Sequence, residues 1–168
     1  MCVNEPDYEL FSFDVSAAFA KGMTFEELSE LTGEPMRSVQ FELSPEDVSM
    51  LRTIEGFEDF DPKTEVLDML KAIYGLKDAP RAWRKKLHLV LVEFGFRALF
   101  ADQQLYVLHA SKPQGKAPEL LCILSAHVDD LKGAATRSVA MRLLAHLEKH
   151  FGKCKQEWRS FTHVGIVS

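Results

Sequence analysis

Three aspartates stand at the ends of apolar runs: Asp14 closes YELFSFD, and the adjacent pair Asp129 and Asp130 follows LLCILSAHV. An ionised carboxylate drawn away from water is costly unless an opposite charge or hydrogen bonds compensate it. Two strands that deliver carboxylates to one spot therefore need a positive partner, and a divalent cation is the one that neutralises several at once. Oxygen ligands with no His or Cys cluster beside them suit magnesium, with manganese as the alternative. Taken alone, an adjacent Asp pair reads more readily as a turn between strands or a solvated surface, since Asp is common there.

The elements around these residues follow from periodicity. Leu10, Phe11, Phe13 and Val15 form a short β-prone run ending near Asp14, while LYVLHA at 105–110 and ELLCILSAHV at 119–128 read as a hairpin joined by SKPQGKAP. After Asp130 the chain passes through LKGAAT into a helix whose apolar face is Val139, Leu143, Leu144, Leu147 and Phe151, with Thr136 or Ser138 as cap and Gly152 as stop. A second helix carries Trp83, Leu87, Val90, Leu91 and Phe94 on one face, with Asp78 in the N-cap position and Pro80 in the first turn. Thr24 and Glu27 have the spacing of a capping box for a short helix that Gly33 would end. Residues 36–66 read as a loop-rich insertion, and FTHVGIVS as a strand cut off at the chain end. Strand, helix, hairpin, helix, strand is an α+β order, with helices on one face of an antiparallel sheet.

A chain of 168 residues that is 46% hydrophobic and 27% charged can bury one sizeable core, so one domain is expected. A net charge of -5 means that nucleic acid would have to be met by a local basic surface. Cys2, Cys122 and Cys154 match neither a disulfide framework nor a zinc spacing, which suits a reducing intracellular compartment. No apolar run reaches membrane-spanning length and the N-terminus lacks a signal-peptide pattern, so no membrane partner is expected.

Four segments, DVSAAFAKG at 14–22, AIYGLKDAPRAW at 72–83, AHVDDLKG at 126–133 and FTHVGI at 161–166, resemble in order the motifs of copia-type LTR-retrotransposon reverse transcriptases. The resemblance covers about residues 8–168. It implies a polymerase palm: a single partial reverse transcriptase domain over 1–168 with an insertion at about 32–66, a remnant of the fingers, and no thumb, RNase H or integrase from the rest of a Pol polyprotein. The implied activity is RNA-directed DNA polymerisation, with Asp14, Asp129 and Asp130 around two magnesium ions, a primed RNA or DNA template and a dNTP as partners, and an intracellular location in a cytoplasmic virus-like particle or the nucleus.

The same resemblance implies finer roles. Phe19 would lie under the incoming sugar and exclude a ribose 2'-hydroxyl, against the plainer reading of Phe19 as a core residue. The backbone N–H groups of Ala17 and Ala18 would meet the triphosphate. Tyr74, Gly75, Lys77 and Arg81 would touch template or nucleotide, and His163, Val164 and Gly165 would belong to the first strand of a primer-gripping hairpin. Lys153 or Lys155 would protonate pyrophosphate. Trp83 reads as a core anchor, and Arg84, Lys85 and Lys86 as a solvated face. Two of the motifs depart from the family pattern: His127 stands where a Tyr precedes Val128 and the aspartates, and His163 and Val164 stand where Phe and Leu are usual. The reading from another class is a decayed or domesticated palm-like domain that binds or supports without catalysis.

Overall fold

A computed structural model describes residues 7–110 and 118–159, and the backbone of 162–163 and 166–167. The chain opens with β1 (Tyr8–Asp14), a one-turn 3-10 segment (Ala18–Lys21) and α1 (Phe25–Thr32). An excursion then carries β2 (Gln40–Phe41), α2 (Pro45–Leu51) and β3 (Leu67–Asp68), after which come α3 (Ala79–Phe94), β4 (Arg97–Ala98), β5 (Leu105–His109) and β6 (Leu120–His127). The last part holds β7 (Asp130–Thr136), α4 (Arg137–Phe151), β8 (Lys155–Trp158), β9 (Thr162–His163) and β10 (Ile166–Val167). Six strands make the main sheet in the order β4-β5-β6-β7-β1-β8, every neighbouring pair antiparallel. The fold is α+β.

Side chains alternate across the sheet, and one face is apolar. Phe11 and Phe13 of β1, Leu131 and Ala135 of β7, Cys122 and Leu124 of β6, and Tyr106 of β5 are all buried there. The apolar stripes of α3 and α4 close over this face: Trp83, Leu87 and Leu91 from one helix and Leu143, Leu147 and Phe151 from the other join the same core. Each large side chain so buried contributes about 1.5–3 kcal/mol. The opposite face carries Ser12, Asp14, His127, Asp130 and Lys132, and this polar alternation is why the helices settle on one side only.

Among the strands of four or more residues, two escape sequence reading. Gly, Ala and Lys disfavour strands, so LKGAAT carries no strand signal, yet as β7 it is the strand between β6 and β1. Its small residues are needed there: a Cβ on Gly133 would stand 2.5 Å from Phe11 Cζ and 2.6 Å from the Ile123 carbonyl oxygen. The polar KQEW becomes β8 because β1 offers it an open edge, pairing Phe11 with Trp158 and Asp14 with Lys155. The terminal segment also differs from the truncated strand expected, since β9 and β10 pair antiparallel with His163 opposite Ile166.

Helix ends follow local chemistry. Thr24 Oγ1 accepts from Glu27 N–H at 3.0 Å, Glu27 Oε2 accepts from Thr24 N–H at 2.9 Å, and Gly33 ends α1 at φ 71. The insertion is more ordered than its composition suggests, because Ser44 and Asp47 make a second capping box for α2 and β2 pairs with β3. Asp78 occupies the N-cap position of α3 without capping it, its carboxylate being taken by Arg37. Thr136 likewise precedes α4 without capping it, its hydroxyl lying 3.2 Å from that of Ser138. Among the described residues no helix is long and apolar enough to cross a membrane.

Substituting Gly133→Ala is expected to lower the unfolding free energy by about 1–3 kcal/mol in urea titration, because the methyl group meets a ring and a backbone carbonyl with no room to yield. The Thr24 N–H, with Lys86 as a further donor, holds the Glu27 carboxyl below its ordinary 4.5. Its stabilising contribution is therefore complete above pH 4.5 and lost as pH falls through the lower folded value, so Glu27→Gln should flatten the acid limb of a pH–stability profile.

Candidate metal and nucleic-acid site

Strand register, rather than sequence proximity, assembles the acidic group. Pairing of β1 with β7 sets Asp14 opposite Asp130, and pairing of β6 with β7 sets His127 opposite Asp130, leaving Val128 and Asp129 as the turn. On its other side Asp14 faces Lys155 of β8. All three aspartates are partly exposed. Asp130 is occupied: Ser12 Oγ donates to Oδ1 at 3.0 Å, and Lys132 Nζ pairs with Oδ2 at 2.9 Å. The carboxylates of Asp14 and Asp129 have no hydrogen-bond or ion-pair partner among the described residues.

Of the three expected carboxylates, Asp130 is thus already engaged. Among the described residues the trio with ligand atoms all within 4.8 Å of one another is Glu93, His146 and His150, not the aspartates. Asp14 and Asp129 remain as the pair open to a cation, and carboxylate oxygens are the donors that hard divalent ions take.

The turn itself is held from two directions. Val15 N–H donates to the Asp129 carbonyl at 2.9 Å, and the Trp83 indole N–H donates to the Val128 carbonyl at 2.5 Å. Trp83 is the buried core anchor expected, edge-on to Phe151 at 4.9 Å, but it also positions the acidic turn. That second role joins residues 45 apart and leaves no local sequence signal. Val128 has φ 53, a left-handed conformation unfavourable for a β-branched residue, so the turn stores strain that these two hydrogen bonds sustain.

Around the turn lie most of the other residues singled out in the sequence. Ala17 is left-handed at φ 54 and opens the 3-10 segment, whose end has no side-chain cap; the side chain of Ala18 is buried. Phe19 is part-buried against the core, lies 4.7 Å from the exposed Tyr74 ring, and lines a cleft of about 210 Å³ together with Trp83, Tyr106 and Val128. Gly75, at φ 93, supplies the left-handed residue after Tyr74. An adjoining cleft of about 800 Å³ is lined by Lys77, Arg81, Arg84, Lys85 and His88, and the two share Pro80, Arg84, Gln103 and Tyr106.

Several expectations are revised. Arg84 and Lys85 line the larger cleft instead of forming a plain solvated face, while Lys86 turns away to Glu27 at 3.2 Å. Arg81 borders that cleft but its guanidinium is engaged by Glu34 through two hydrogen bonds of 2.7 and 2.6 Å. Lys155 is in register with Asp14, whereas Lys153 lies before β8. Val164 and Gly165 lie outside the described residues; His163 is in β9.

No family model matches the sequence. Over 76 residues, 45% of the chain, it is 37% identical to each of two retrovirus-related Pol polyproteins of Arabidopsis thaliana, from the transposons RE1 and RE2. The matched stretch amounts to 5% of the length of each of those relatives. Over that stretch the chain is similar to retrotransposon Pol polyproteins.

Replacing Val128 by Gly should raise the unfolding free energy by about 0.5–1 kcal/mol, by releasing the left-handed strain. Trp83→Phe should lower it by about 1–3 kcal/mol, since the Val128 carbonyl loses its donor. Paired denaturant titrations of the two variants check both signs.

Proposed function

We propose that this chain is the palm region of an RNA-directed DNA polymerase from a copia-type retrotransposon, acting by metal-assisted nucleotidyl transfer. The observation that carries the reading is the convergence of Asp14 and Asp129, far apart in sequence, on one end of the sheet with their carboxylates unpartnered. Divalent ions held there would activate a primer 3'-hydroxyl and balance the charge of a triphosphate and its leaving group. The chain's own contribution is positioning: Trp83 and Val15 fix the turn, and the paired strands fix Asp14 against it.

The cationic cleft supplies the local basic surface that a chain of net charge -5 needs to meet nucleic acid, and template–primer phosphates are its proposed occupants. Phe19, sharing a cleft with Val128, is the proposed barrier to a ribose 2'-hydroxyl. Lys155 rather than Lys153 is the proposed proton donor to pyrophosphate, because of its register beside Asp14. A second reading, a palm-like module without catalysis, draws support from Asp130, already neutralised by Lys132.

Primer extension on poly(rA)/oligo(dT) with magnesium or manganese separates the two. Template-directed addition that Asp14→Asn and Asp129→Asn each reduce at least a hundredfold, and Asp130→Asn reduces less, is the expected result. Wild-type signal no greater than that of Asp129→Asn would sink the polymerase reading and leave the binding module. Phe19→Ala should increase ribonucleotide incorporation relative to deoxynucleotide by roughly tenfold or more, read from single-nucleotide addition.

A further inference from the structure

We infer that Glu93, His146 and His150 form a site for a divalent transition-metal ion, with zinc the best chemical match, that staples α3 to α4. His146 and His150 are four residues apart on α4 and so project from one face of it, while Glu93 comes from the last turn of α3. One ligand atom from each of the three lies within 4.8 Å of the others. Ligands of a tetrahedral zinc ion sit about 3.3–3.5 Å apart, from bond lengths of about 2.0–2.2 Å, so modest side-chain rotation closes the set. Two histidines at this spacing with a carboxylate from a second helix give an N, N, O donor set, which suits zinc far better than magnesium.

Two further observations point to an ion. His150 Nε2 is buried without a hydrogen-bond partner, and stands 3.5 Å from Glu93 Oε2. A buried ring nitrogen without a hydrogen bond is rare in folded proteins, and a metal ion is one partner that would satisfy it. His146 is already oriented as metal-bound histidines commonly are: its Nε2 lies 2.9 Å from the Val90 carbonyl, and donating a proton there leaves Nδ1 with the lone pair. Phe94, at 5.3 Å between ring centroids, flanks the imidazole of His146. Glu148, between the two histidines in sequence, accepts the Cys154 N–H and is not part of the set. Three protein ligands leave the fourth position to water or to a group from elsewhere. The site shares no residue with the aspartates of the sheet end.

The test uses cobalt(II) as a spectroscopic probe on the purified, chelator-stripped chain, followed by displacement with zinc. Visible ligand-field absorption that saturates at one ion per chain, with affinity reduced at least tenfold in His150→Gln and in Glu93→Gln, is expected, as is a rise in the thermal midpoint on adding zinc to wild type but not to His150→Gln. Glu93 is exposed, so its variant retains the fold, and far-ultraviolet circular dichroism verifies this for both. Asp14→Asn and Asp129→Asn should leave this absorption band and its titration unchanged, because an octahedral all-oxygen site absorbs far more weakly than a tetrahedral one with nitrogen ligands. The inference is overturned by wild-type affinity in both His150→Gln and Glu93→Gln, by loss of binding in the aspartate variants instead, by a thiolate charge-transfer band from Cys122 or Cys154, or by no cobalt binding at micromolar concentrations, which would make the cluster a His150–Glu93 ion pair alone.

Discussion

The antiparallel pairing of β7 with both β6 and β1 is the constraint on which the rest of this molecule depends. It requires Gly133, because Phe11 and the Ile123 carbonyl already occupy the space of a side chain. With that contact made, the register along the strand is set, and a slip of one residue would drive Asp130 and Lys132 into the apolar core. The same register brings Asp14 alongside Asp130 and hangs Asp129 from the turn. Core packing and assembly of the acidic group are therefore one event: Phe11 sits against Gly133 at one level of the strand pair, with the Asp14 and Asp130 carboxylates three residues further along.

Charge is distributed unequally over this frame. The polar sheet face holds one satisfied carboxylate, Asp130, beside two unpartnered ones, so the local negative charge is only partly compensated by Lys132 and by Lys155 across the strand from Asp14. The cations that could oppose the phosphates of a nucleic acid are gathered instead just before α3 and on its first two turns, where Lys77, Arg81, Arg84 and Lys85 border a single cleft. Separation of an acidic strand end from a basic helix start suits a polyanion held at one place and a cation held at another. Trp83 links the two, since it belongs to the helix and donates to the turn.

The helices do more than cover the sheet. Their facing surfaces carry an imidazole pair and a carboxylate beside the last turn of α3, with the Val90 carbonyl orienting one ring. A cross-link at that place would join the two elements that bury most of the apolar face of the sheet. It would act on the stability of the scaffold, separately from chemistry at the aspartates.

Read in order, the residues determine a good part of this by themselves. The 3.6-residue periodicity of α3 and α4, the Thr24–Glu27 capping box, the glycines at 33 and 152 and the alternation of β1, β5 and β6 are all local signals, produced by forces that act within a few residues. They suffice for the α+β class and for placing aspartates at strand ends. What they miss depends on partners distant in sequence: β7 is a strand because two neighbours pair with it, β8 because β1 has an edge to fill, and α2 was obscured by the acidic composition around it. Tertiary structure decided how fully Asp130 is engaged, because Ser12 reaches it only after β1 and β7 pair and there joins Lys132, two residues along the same strand. It also decided that Trp83 grips the turn and that Glu93 meets His146 and His150, since hydrogen bonds and ligand sets are made by proximity in space, which no sequence spacing encodes.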